Sequence, residues 1–203
     1  MALTQVATGL LAGSITSDKI TSVANTAISG RIATSQQPTG TVLQVVSTTL
    51  NTAFSTSNTV TASGGSLTAT GANVTGLSAS ITPSSATSKI LITVNIGGVN
   101  GTAAAAQAIV LLLRGSTVIG AGTGSGGRPG LNARGYYNDI NTAVPVSFSF
   151  LDSPSTTSST TYQVNLGTDA SGQPVYLNRT QNDADSIINP RFSSTITVME
   201  IAA

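Results

Sequence analysis

From Thr41 onward the chain alternates with a period of two. Ile90, Ile92, Val94 and Ile96 interleave with Leu91, Thr93 and Asn95. Leu77, Ala79 and Ile81 interleave with Ser78, Ser80 and Thr82. Val146, Phe148 and Phe150 do so with Ser147 and Ser149, and Tyr162, Val164 and Leu166 with Gln163 and Asn165. Ile196 and Val198 face one way while Thr197, Met199 and Ile201 face the other. Successive side chains on a strand point to opposite faces, so each run describes a sheet with one face in a core. The continuous apolar stretch 108–113 reads instead as a strand covered on both faces. Weaker strand signals lie at 42–46, 59–67, 117–119 and 175–177. Turns rich in Gly, Pro, Ser and Asn separate the runs, and Gly97-Gly98 stands where the 90–96 strand is expected to stop. Eight to ten strands at this spacing, with no βαβ rhythm, predict an all-β fold: an antiparallel β-sandwich or jelly roll over residues 41–203.

Residues 1–40 differ. Ser17 and Asp18 suit a helix cap; Ile20, Val23, Ala24, Ala27 and Ile28 follow at helical spacing, and Gly30 stands at the C-terminal cap position. A helix of about twelve residues is marginal alone in water, so its apolar stripe needs a partner. It lies on its own domain, bundles with copies of itself, or docks on a larger assembly. Ile15, Ile20, Val23 and Ile28 are the expected attachment residues. The polar stretch 35–40, with Pro38 and Gly40, reads as a linker.

Composition limits the chemistry. The chain has no histidine, cysteine or tryptophan, and 7% of its residues are charged, against about 25% in an ordinary domain. The net charge of +1 gives no pull toward nucleic acid. Mean hydropathy of +0.24 argues against a solvated, disordered chain. The apolar run 103–113, interrupted by Gln107, is about half the length a membrane helix needs. No basic segment of the signal-peptide kind precedes it at the N-terminus. Neither nucleic acid nor membrane insertion is therefore expected.

Without histidine or cysteine, a nucleophile would be a serine or threonine activated by a lysine or carboxylate. Lys89, after Ser84, Ser85 and Ser88, allows a Ser–Lys dyad, although lysine at a strand edge is also a common guard against aggregation. Paired carboxylates for glycoside cleavage would come from Asp139, Asp152, Asp169, Asp183, Asp185 and Glu200, none in a recognisable motif. Asp183 and Asp185 in Asn182-Asp183-Ala184-Asp185 could ligate calcium, yet Asp-x-Asp is frequent in solvated turns. Gly124-Ser125-Gly126-Gly127-Arg128 lacks the lysine and strand–helix setting of a phosphate loop. No catalytic residue, metal or cofactor is expected. Asn178-Arg179-Thr180 and Asn73-Val74-Thr75 match the glycosylation triplet, which arises by chance in chains of this composition. Seven of the fifteen charged residues lie in two long loops, 120–141 and 178–191, and long loops are usually functional. Arg128, Arg134, Tyr136, Tyr137, Arg179, Asp183 and Asp185 are the expected outward contact residues. The tyrosine pair either stacks on a partner or covers the end of the sandwich.

Several segments together resemble a group of tailed-bacteriophage virion proteins, those of cyanophages among them. They are Leu43-Gln44-Val45-Val46; Ser80-Ile81-Thr82-Pro83-Ser84-Ser85-Ala86-Thr87-Ser88-Lys89-Ile90-Leu91; Leu111-Leu112-Leu113-Arg114-Gly115-Ser116-Thr117; Phe150-Leu151-Asp152-Ser153-Pro154 with Thr161-Tyr162; and Ser194-Thr195-Ile196-Thr197-Val198-Met199-Glu200-Ile201. Gly13-Ser14-Ile15-Thr16-Ser17-Asp18-Lys19-Ile20 is similar to units near the start of phage fibres. The resemblance implies a non-enzymatic virion structural protein, assembled in the host cytoplasm and carrying no transferable catalytic residues. A fibre-like homotrimer is expected, fixed to other virion proteins through residues 1–40 and presenting its loops to a host-surface glycan or protein. A capsid decoration or cement protein is the alternative, and a glycan-degrading tailspike-type enzyme a third.

Overall fold

The computed structural model describes residues 37–102, 106–135 and 139–203. The attachment residues Ile15, Ile20, Val23 and Ile28 lie outside the described residues, as do Tyr136 and Tyr137. Among the described residues there are strands and turns but no α-helix, so none is long and apolar enough to cross a membrane.

Thirteen strands are present among the described residues: β1 (Val42–Leu50), β2 (Phe54–Thr56), β3 (Thr61–Ser63), β4 (Ser66–Ala69), β5 (Ala72–Ile81), β6 (Lys89–Gly101), β7 (Ala108–Arg114), β8 (Thr117–Val118), β9 (Ala133–Gly135), β10 (Val144–Asp152), β11 (Thr160–Thr168), β12 (Val175–Leu177) and β13 (Ser194–Ile201). Every ladder between them is antiparallel. One sheet runs β1-β13-β6-β10; the other runs β5-β11-β7, with β8 and β9 as two short pieces along the free edge of β7. Seven long strands, with β8 and β9 together as one further position, make eight in chain order. Their spatial orders are 1-8-3-6 and 2-7-4-5. That arrangement is a jelly roll, two Greek keys folded into a sandwich. β12 and β2 extend the first sheet beyond the end of β13, and β3–β4 is a separate hairpin.

The alternation places the core. Ile90, Ile92, Val94 and Ile96 of β6 are fully buried against Leu77, Ala79 and Ile81 of β5, Val110 and Leu112 of β7, and Tyr162, Val164 and Leu166 of β11. β7 is covered on both faces, as its unbroken apolar sequence predicts. Its other face, Ile109, Leu111 and Leu113, packs under Val60, Leu67, Val118 and Leu131. Leu131 of the 120–141 loop is thereby laid against the outside of the second sheet.

Three details depart from the sequence expectation. β6 does not stop at Gly97-Gly98 but runs on to Gly101, exchanging β13 for β12 along the same edge. The two glycines serve close approach. A Cβ on Gly97 would lie 2.3 Å from the Ser193 carbonyl oxygen, and one on Gly98 would lie 2.9 Å from the Phe192 ring. The 59–67 signal is split by Gly64-Gly65, both at positive φ, into the β3–β4 hairpin. β2 and β9 carry three residues each, too few for alternation to reveal.

Candidate contact site

The Ser–Lys arrangement is not assembled. Lys89 Nζ donates to Ser153 Oγ at 2.9 Å, and Ser85 Oγ shares a 2.9 Å bond with Thr87. Ser84 turns to Glu200 instead: its backbone N–H and its hydroxyl both donate to Oε1, at 2.7 and 2.6 Å. Gln44 Nε2 donates to Oε2 at 2.6 Å, and Ser88 adds a further bond. Glu200 is fully buried. Burial alone pushes its carboxyl up, but the bonds from Ser84, Gln44 and Ser88 outweigh that and hold it below its ordinary range. The carboxylate is fixed by neutral donors.

A second carboxylate lies one strand away. Asp152 of β10 and Glu200 of β13 both flank Ile90 of β6 in register. Arg114 Nη1 donates to both Asp152 oxygens, at 3.0 and 2.9 Å, and the buried Tyr162 hydroxyl donates to Oδ2 at 2.7 Å. Burial and the adjacent carboxylate push the Tyr162 hydroxyl well above its ordinary range. Arg114 and Tyr162 belong to one sheet and Asp152 to the other, so the cluster ties the sandwich together at this end. Arg114 also borders a shallow depression of about 420 Å³ with Thr156, Ser159 and Thr160, but its charge there is matched by Asp152.

The two clusters draw their polar residues from well-separated stretches of the chain. Gln44, Ser84, Ser88 and Glu200 make one; Arg114, Asp152 and Tyr162 make the other. These polar residues are framework, which composition alone did not reveal.

At the opposite end of β6 the two long loops meet. Asn182 donates from its backbone to the Ile140 carbonyl at 2.8 Å and from its side chain to Asn141 Oδ1 at 2.9 Å. The 178–191 loop is anchored by Asn178, fully buried at φ 62°. Its side chain donates to the Leu50 carbonyl at 2.9 Å and accepts from Ser194 at 2.6 Å. An amide so engaged is closed to glycosylation in the folded protein. Above it, Arg179 stacks 4.3 Å over the Tyr176 ring, and Asp183 receives both Arg179 and Arg191. Those arginines hold the Asp183 carboxyl below its ordinary range, the Arg191 hydrogen bond being the largest cause. Both oxygens are committed to guanidinium groups, leaving little for a cation shared with Asp185.

The loop is thus a braced prong. Near its tip Ile187 is 96% exposed and Ile188 57%. Sequence reading passed over this pair, since two isoleucines in a polar loop match no strand or helix period. Of the expected contact residues, Arg179, Asp183 and Asp185 lie on the prong. Arg134 on β9 pairs with Asp169, and Arg128 closes an exposed turn with Ser125 on the outside of the second sheet. They do not form one patch. Asp139 caps the turn at Asn141, donor to acceptor 2.7 Å.

No protein-family model matches the chain, and no curated protein matches it. Among solved structures, the structure of infectious bursal disease virus Gx strain aligns over 79% of this chain and 37% of that chain, at 17% identity and a TM-score of 0.27. The chain therefore spans well under half of the viral chain, and a superposition this loose decides neither origin nor function.

Proposed function

We propose that the chain is a non-enzymatic structural component of a tailed-phage virion: a fibre-like homotrimer held to other virion proteins through residues 1–40. The 178–191 prong then meets the host surface. Supporting this are the ordered phage-like segments and the jelly roll, a fold that recurs in viral capsid and lectin domains, an analogy at fold level only. The observation that carries the contact role is Ile187 at 96% exposure on a loop braced from beneath by Arg179, Asp183 and Arg191. Two adjacent bare isoleucines give a long, braced loop an apolar point of contact, and long loops on a rigid scaffold commonly carry binding.

The test is adsorption of purified protein to host cells. Ile187→Ser with Ile188→Ser should cut binding at least about tenfold, the loss of a small apolar anchor, at unchanged thermal stability. Equal binding by the variant overturns the contact role. A capsid-cement reading predicts instead that the protein sits on the head lattice. A glycan-degrading reading predicts reducing ends released from host polysaccharide; none is expected.

A further inference from the structure

The outer face of the β1-β13-β6-β10 sheet carries an ordered pattern. Cross-strand register lines Val45, Met199, Leu91 and Leu151 into one row, an aliphatic band across all four strands. Val45 and Leu151 are 55% and 53% exposed. Val42 and Ile201, paired in the next row, widen the band at the edge. On its other side stand two polar rows, Ser47-Thr197-Thr93-Ser149 and Thr49-Thr195-Asn95-Ser147. Lys89 is the sole formal charge in these rows, and its ammonium is turned to Ser153.

We infer that this face is where copies of the chain meet, turned toward the symmetry axis of the homo-oligomer; the inference rests on the self-assembly proposed above. Three arguments choose a second copy as occupant. First, hydroxyls and amides both donate and accept, so identical rows satisfy one another, which a face of carboxylates or ammoniums cannot do. The Ser47–Thr197 pair already bonds in this way at 2.8 Å, with either oxygen as donor. Second, no like charges are brought together or desolvated, a cost of several kcal/mol per ion. Third, the area suffices. Four strands about 4.8 Å apart and eight residues at about 3.4 Å rise give a face of roughly 500 Å². Two such faces bury on the order of 1,000 Å², the lower bound for specific association.

Two measurements on the full chain test this. Sedimentation of the wild type at micromolar concentration should give an oligomer, and Val45→Glu with Leu151→Glu should weaken association at least about a hundredfold, as like charges at an interface do. Both positions are half-exposed, so circular dichroism should be unchanged. Because the chain has no cysteine, Val45→Cys with Leu151→Cys supplies one thiol at each edge of the band, and three-fold packing of these faces sets position 45 of one copy beside position 151 of the next. Mild oxidation should cross-link the double variant between copies, while Thr75→Cys on the exposed face of the second sheet should stay uncross-linked. The cysteine pair decides the question if the glutamate variant fails to fold. A wild-type monomer overturns self-assembly and this face together. A monomer that gains mass only with another virion protein assigns the face to that protein and overturns the inference. An oligomer that resists the glutamates and does not cross-link between positions 45 and 151 overturns the face alone.

Discussion

The two ends of β6 handle charged residues in opposite ways. At the Ile90 end, Glu200 and Asp152 point inward and every oxygen is met: Ser84, Ser88 and Gln44 around one, Arg114 and Tyr162 around the other. At the other end, Asp183 pairs at the surface with Arg191 and with Arg179, which is stacked on Tyr176, and Ile187 stands bare in solvent. Exposed ion pairs contribute about 0–1 kcal/mol. Breaking a buried, hydrogen-bonded charge cluster costs several times more. One end therefore holds the sandwich closed; at the other, the outer part of the 178–191 loop, above its buried Asn178 anchor, is free to serve as a contact surface because little of the fold depends on it.

Substitutions can break that contrast. Asp152→Ala leaves the Tyr162 hydroxyl buried without an acceptor and Arg114 without its counter-charge. A loss of about 3–5 kcal/mol is expected in urea unfolding; a loss under 1 kcal/mol would make the cluster incidental. Glu200→Gln keeps the shape but turns an amide N–H₂ toward donors, so about 2–3 kcal/mol should go. This cost should depend on pH. The Glu200 carboxyl titrates lower in the folded chain than its ordinary value of 4.5, so the unfolded chain binds the proton first on acidification. Its stabilisation is full above about pH 4.5 and fades as pH falls through the folded value. The gap between wild type and Glu200→Gln should narrow over the same range; a pH-independent gap contradicts the ionised cluster. At the loop end, Ile187→Ser should change stability by less than about 0.5 kcal/mol.

The alternation of β5, β6, β10, β11 and β13 was legible because each strand has one buried face, and β7 because it has two. What hid was long-range. Glu200 is the last charge in the sequence, and nothing nearby signals that Ser84, 116 residues away, meets it. Gly97-Gly98 looked like a stop because a glycine's reason for standing in a strand, here Phe192 and Ser193, comes from another part of the chain. The prong was read for its charges and missed for its isoleucines. The aliphatic row emerges only when register aligns one residue from each of four strands.

The most direct test of the account is electron cryomicroscopy of the particle that carries the protein. The account predicts three-fold density with the β1-β13-β6-β10 sheets toward the axis, Gln37 on the particle side and Ile187 at the far tip. Density with Ile187 buried against the particle, or the protein lying flat across the head lattice, would contradict it.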